Sequence, residues 1–278
     1  MLSGTTIRWL ILLVPLAVVG VFFWYGVAGA LWVSFTSPEP GLHNYVSFLS
    51  STTDMTVLKR TFAVSLAVTA TCLTFGYPYA YLMTVSSKRV RALLMIVVLI
   101  PFWMSMMVRT YAWVVLLQNN GPLDRLLKSV GIDGLGLIGT PVAITVGTAQ
   151  ILMPFMIMSL YANMVRIDRR LLDAAGGLGA SPGIAFVKVF MPMTVPGVVA
   201  GCTLVFVLSL GFYLAPVLLG SPQNAMLSQL IVQQVSQLLD FGRGGAMAGV
   251  LLLLALSVVA LGAVLARPAI VRGYGEDR

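Results

Sequence analysis

Six stretches of this sequence, at about 10–34, 61–85, 92–117, 140–164, 194–220 and 246–266, are each long and apolar enough to cross a lipid bilayer. A crossing helix needs about 20 consecutive apolar residues. Within hydrocarbon every backbone N–H and C=O must be satisfied inside a helix or a closed barrel, and unbroken runs of this length favour the helix. The segments between them are too short for a second domain. The expectation is one all-α polytopic membrane domain over residues 1–278, with six transmembrane helices. Composition agrees: 9% of residues are charged, against roughly 25% in a soluble domain.

A net charge of +8 would suit a nucleic-acid binder, but its distribution follows the membrane instead. With the N-terminus in the cytoplasm, the inside segments hold Arg8, Lys88, Arg89, Arg91, Arg166, Arg169, Arg170, Lys188, Arg267, Arg272 and Arg278. The outside segments hold only Lys59, Arg60, Arg125, Lys128 and Arg243. That is the positive-inside bias. It predicts cytoplasmic N- and C-termini and no nucleic-acid partner. Arg8 followed by Ala28-Gly29-Ala30 imitates a signal peptide, yet about 20 apolar residues precede that site, more than the 7–15 of a signal core. The first run is read as a retained anchor. Cys72 and Cys202 both fall within spans and read as buried apolar filler. With His43 as the single histidine, no metal-ligand spacing exists.

Three outer segments follow, at about 35–60, 118–139 and 221–245. The first has a turn cluster at Ser37–Gly41 and an aromatic stretch at His43–Phe48. In the second, Leu123, Leu126 and Leu127 mark a short amphipathic surface helix. The third carries another such helix through Leu227, Leu230 and Ile231. These segments either receive an external protein or merely cover helix ends.

The inner segment at 165–193 has ordered helix grammar. A first helix starts near Arg169, with Leu171, Leu172, Ala175 and Leu178 as its apolar face. Gly176, Gly177 and Gly179 loosen and end it, as glycine does at a helix C-terminus. Ser181 is an N-cap with Pro182 at the first helical position. The second helix is expected to run to about Phe190 with Ile184, Val187 and Met191 on one side. Pro192 and Pro196 should then break the chain before the fifth span.

These residues resemble the coupling-loop motif of permease subunits in binding-protein-dependent ABC importers. The family pattern is Glu-Ala-Ala, three residues, Gly, nine residues, an aliphatic, any residue, then Leu-Pro. Here it reads Asp173-Ala174-Ala175, Gly179, Val189 and Met191-Pro192, with Asp for Glu and Met for Leu. The resemblance implies a type I ABC importer permease fold with cytoplasmic coupling helices, at 169–192 in this chain. It gives an ATPase-coupling role to Asp173, Ala174, Ala175, Gly179, Ser181, Pro182 and Pro192. It also implies a bacterial inner (plasma) membrane location and a set of partners: two ATPase subunits, a second permease subunit (more often a different chain than a copy) and an external solute-binding protein. No phosphate-binding Gly-rich Lys-Ser/Thr motif is present. The chain itself should therefore be no enzyme and hold no cofactor, ATP and Mg residing on the partner ATPase.

Pro101–Ser105, Arg109–Trp113, Gly211–Pro216 and Gly245-Ala246 are similar to the spermidine/putrescine branch of that family. Relatives in the branch carry amino-acid-like, opine, thiamine or ferric-ion solutes as well. Arg109 is the one charge well inside a span, about 25 Å along a continuous third helix at 1.5 Å per residue. It suits a gate, a contact to an anionic solute, or docking. No Asp or Glu lies in any span, so a cation would depend on aromatic faces. The candidate pathway or gate residues are Trp103, Arg109, Tyr111, Trp113, Tyr161, Phe212 and Tyr213. An ion-coupled secondary transporter is a distant alternative, since such proteins place ionisable groups at the midplane. Pro78, Pro101, Pro154 and Pro216 interrupt spans and could bend them.

Overall fold

The computed structural model describes the backbone of residues 4–131 and 136–274, and the side chains of these except 4–12, 14 and 266–274. Arg8, Arg267, Arg272 and Arg278, counted above as inside charges, lie outside the described side chains. All regular structure among the described residues is helical. The first helix, α1 (Gly4–Thr36), runs through Ala28-Gly29-Ala30. After the turn cluster come a short α2 (His43–Ser50) and a long α3 (Thr52–Val85), in which Pro78 sits without ending the helix.

The third span departs from expectation. It is α4 (Lys88–Leu99), a 3-10 turn (Ile100–Trp103) and α5 (Met106–Leu117), not one rod. Pro101 lies in the first turn of the 3-10 segment, where its missing N–H removes one helical hydrogen bond, while Ile100 before it stays helical at φ −46° and ψ −45°. Met104 and Ser105 then adopt extended ψ values of 141° and 133°. The segments on either side, Lys88–Trp103 and Met106–Ser129, are bent by 98°. The second outer segment does form its surface helix, α6 (Pro122–Ser129).

Next come α7 (Pro141–Met164), capped by the Thr140 side chain and continuous past Pro154, and α8 (Arg170–Gly177). Then α9 (Pro182–Ala185), a π turn (Phe186–Phe190) and α10 (Met191–Leu210) make one apolar run of 29 residues, from Pro182 to Leu210. The expected break at Pro192 and Pro196 is therefore absent. The Met191 N–H donates to the Phe186 carbonyl, five residues back. The wide turn takes up one extra residue just where Pro192 has no N–H to give, so the axis continues. The fifth span also ends early, at Gly211. Leu214–Leu219 is a separate short α11, with Pro216 inside it. A 3-10 turn (Pro222–Asn224), α12 (Leu227–Ser236) and α13 (Phe241–Tyr274) complete the chain. Five helices are long and apolar enough to cross a membrane, and six when the bent pair is counted as one broken span.

Contacts divide the chain into two compact units. One comprises residues 56–229 with 253–278. Its core joins Val64, Val68 and Cys72 of α3 to Ile144, Met156 and Leu160 of α7 and Val205 of α10. Gly197 and Gly201 let α10 lie close on α7: a Cβ on either would stand 2.6 Å from Asn163 Cβ or 2.8 Å from Met156 Sδ. This is the small-xxx-small packing of membrane helices, where close backbone approach replaces the hydrophobic effect. Cys72 is buried here, as expected of filler, and its thiol donates to the Ala149 carbonyl at 3.4 Å.

The other unit comprises residues 1–55 with 230–252. Asn44 Nδ2 ties the end of α1 by donating to the carbonyls of Ser34 and Ser37 at 2.9 and 2.6 Å. Arg243 Nη2 pairs with Asp54 Oδ2 at 2.6 Å. Gly242 meets the Ser37 carbonyl so closely that a Cβ would lie 2.1 Å from its oxygen. Among the described residues of its most apolar window, none of α1 is buried.

Candidate functional site

The inner segment is a two-helix knob. Its first helix begins where the Asp168 carboxylate accepts the Arg170 N–H at 3.0 Å. It ends in a Schellman motif: Ala180 N–H donates to the Ala175 carbonyl at 3.0 Å and Gly179 N–H to that of Gly176 at 2.9 Å. Gly179 has φ +87°, a conformation costing an L-residue about 1–2 kcal/mol. Ser181 Oγ then accepts the Ile184 N–H at 3.4 Å and Pro182 occupies the first turn of α9. The knob is thus fixed by local capping, as its sequence implies.

Its apolar face is divided, which the sequence reading did not anticipate. Leu172 packs against the core of its unit, whereas Leu171 is exposed and Leu178, at the bend, is 90% exposed. Ile184, Val187 and Met191 line one exposed side of the second helix, opposite buried Ala185 and Phe190. Asp173, Ala174, Gly179, Ser181, Pro182 and Pro192 are exposed and Ala175 is half-buried. The Asp173 carboxylate makes no hydrogen bond or ion pair with another described residue. The knob thus exposes the Asp173 carboxylate on its first helix and the Leu178 side chain at its capped bend.

The candidate pathway residues do not converge on one point. Trp103 is 92% exposed in the 3-10 turn, and Tyr111 and Tyr213 are exposed. Trp113 and Phe212 come together, packing on the cluster of Leu117, Ala143, Ala215 and Leu219. Tyr161 packs on the larger core of the same unit. Arg109 is half-buried just after the break, with its Nε buried and unpartnered. Its expected depth along a continuous helix does not hold, because the bend intervenes.

Beside the break lies an apolar cavity of about 420 Å³. Phe75 and Tyr79 of α3, Pro101, Trp113, Gln150 and Met153 are among its walls, and none of its lining residues is charged. Gln150 Oε1 is buried without a hydrogen-bond partner. Such a wall suits an apolar or aromatic-stacked body and offers no counter-charge to a polycation. Sequence reasoning missed this cavity, since the third span had to bend to create it. It also missed Asp168, whose Asx position two residues before Arg170 was the available signal.

Residues 73–267 match the family described as the binding-protein-dependent transport system inner membrane component. The chain belongs to that family. It is 33% identical over 192 residues to the spermidine/putrescine transport system permease protein PotB of Escherichia coli (strain K12), covering 68% of this chain and 70% of that one. PotB of Haemophilus influenzae (strain ATCC 51907 / DSM 11121 / KW20 / Rd) is 34% identical over 177 residues, covering 63% and 62% of the two chains. The inner membrane ABC transporter permease protein YdcU of E. coli (strain K12) is 30% identical over 236 residues, covering 77% and 75%. Among solved structures, a bacterial ABC transporter involved in the import of alginate superposes with TM-score 0.76 at 20% identity, over 94% of this chain and 96% of that one. The MetNI methionine ABC transporter gives TM-score 0.56 at 20% identity, over 79% and 99%. At these identities the likeness is one of fold: this is an all-α ABC importer permease fold, and by its family the chain is an inner-membrane transport component.

Proposed function

We propose that this chain forms one half of the membrane pathway of an ATP-driven importer for a polyamine such as spermidine or putrescine. The solute comes from an external binding protein, a second permease chain completes the pathway, and two ATPase subunits dock on the cytoplasmic face. The observation that carries the reading is the capped knob at 169–192. Asp173, Ala174, Ala175 and Gly179 stand there in the family's spacing, with Leu178 presented at the tip. ATP and Mg act on the docked subunits, which draw together and move the knobs. Both termini of the chain lie in the cytoplasm.

The polyamine assignment is supported by the names of the PotB relatives. A second reading, an anionic or zwitterionic solute, is favoured by one observation: Arg109 has an unpartnered buried Nε, while the spans contain no carboxylate. The cognate external binding protein decides between them. Calorimetric titration with spermidine, putrescine, amino acids, thiamine and ferric ion should give micromolar or tighter binding of a polyamine, about −8 kcal/mol or better. Binding of an anion or zwitterion with none of a polyamine would replace the first reading by the second.

A further inference from the structure

From residue 56 onward helix α3 belongs to one compact unit, and within that unit it is fastened to the knob at one end and to residues 225–228 at the other. At its inner end the last carbonyls have no helical partner. Arg169, which opens α8, donates Nη2 to the Thr84 carbonyl. Arg91 of α4 donates Nε to the Met83 carbonyl at 3.0 Å and Nη2 to that of Ser86 at 3.2 Å. A turn deeper, the Tyr81 ring packs edge-on against Phe186 and Phe190, with centroids 5.1 and 5.3 Å away. These two phenylalanines bound the π turn that carries the knob into α10. A further turn on, the Tyr77 and Thr194 hydroxyls meet at 3.1 Å.

At its outer end, Arg60 Nη1 donates to the Ala225 carbonyl at 3.1 Å, and Thr61 Oγ1 accepts the Leu227 N–H at 2.9 Å. The adjacent Ser228 hydroxyl donates to the Phe212 carbonyl at 2.8 Å. That carbonyl lies in the non-helical junction between α10 and α11. From Thr61 to Thr84 the helix covers about 35 Å at 1.5 Å per residue, the span of a hydrocarbon core of ~30 Å.

We infer that α3 is the rod through which movement of the knob reaches the outer segment at 225–228 and the Phe212 junction. Arg169 and Thr61 are its two positioning residues. The inference rests on the coupling-loop reading above. A continuous helix transmits an axial shift or tilt with little loss, whereas packed interfaces answer by moving to a second arrangement. Because coupling of binding events is reciprocal, an external protein docking on the outer segment is felt at the knob through the same helix.

The test uses the assembled importer in proteoliposomes, with ATP hydrolysis measured with and without loaded binding protein, and solute uptake in parallel. Arg169→Gln and Thr61→Val should each leave the permease assembled in the membrane, and Thr61→Val, which lies outside the knob, should leave basal hydrolysis and co-purification of the ATPase unchanged. Each should lower the stimulation by binding protein about fivefold or more, the scale of an allosteric coupling. Arg169→Lys, which keeps the positive charge and one donor nitrogen for the Thr84 carbonyl, should retain most of it. The double variant should be no worse than the poorer single one, as for two sites on one route. If Thr61→Val does not assemble, Ser228→Ala tests the outer end. Wild-type stimulation and solute moved per ATP in the single variants, or losses that multiply in the double, would overturn the rod. Asp173→Arg run alongside separates the two readings. Normal coupling in that variant sinks the coupling loop itself, whereas uncoupling there but not at Arg169 or Thr61 sinks only the rod.

Discussion

At the scale of single side chains, the charged residues act as caps and clasps. Arg91 and Arg169 read from sequence as topology signals, yet both guanidinium groups sit on the carbonyl end of α3, where positive charge complements the helix dipole. Arg243 and Asp54 form a clasp in the smaller unit, with Asp54 buried and Arg243 a third exposed. Asp54→Asn keeps the shape but leaves Arg243 without its counter-charge. The expected cost is about 2–3 kcal/mol, below the ~3–5 of a fully buried pair because solvent still reaches the arginine. Thermal unfolding of the detergent-solubilised chain should show a lowered midpoint. An unchanged midpoint would mean that the pair adds nothing to that unit.

At the scale of elements, α6 carries its own pH sensitivity. Lys128 Nζ bonds Asp124 Oδ2 at 2.8 Å, and the Asn120 N–H bonds the same oxygen at 2.8 Å. First the lysine and then the backbone N–H hold that carboxyl below its usual range. A carboxyl whose pKa falls on folding adds stability above its unfolded pKa, and that stability is lost as pH falls through the folded value. The turn at Asn120 should therefore persist at neutral pH and loosen only in acid, below the ordinary aspartate pKa of about 3.9. Hydrogen exchange of residues 122–129, corrected for intrinsic rates, should show this acid step, and Asp124→Asn should abolish it. A step that survives the substitution would assign it elsewhere. The same scale explains the third span. Pro78 and Pro154 remain inside helices, while Pro101 is followed by extended Met104 and Ser105, which complete the bend.

At the scale of the molecule, the legible features were those written in local sequence. The six apolar runs, the cap at Ser181 and the Gly179 bend each depend on neighbours within a few residues, so reading the chain finds them. The break at 100–105 was illegible because four prolines carry the same local signal and tertiary surroundings decide which of them bends a span. The continuity through Pro192 depended on a π turn that no residue spacing announces. The cavity and the two-ended fastening of α3 join residues such as Thr61 and Leu227, 166 positions apart, and pairing at that range has no sequence signature. The central claim is that ATP hydrolysed elsewhere drives solute through this chain by way of the knob. Uptake of labelled spermidine by the complete importer in proteoliposomes tests it most directly, with wild type compared against Gly179→Pro. The account predicts ATP-dependent uptake in the wild type and none in the variant, with the variant chain still inserted in the membrane. Equal uptake in the two, or uptake without ATP, would contradict it.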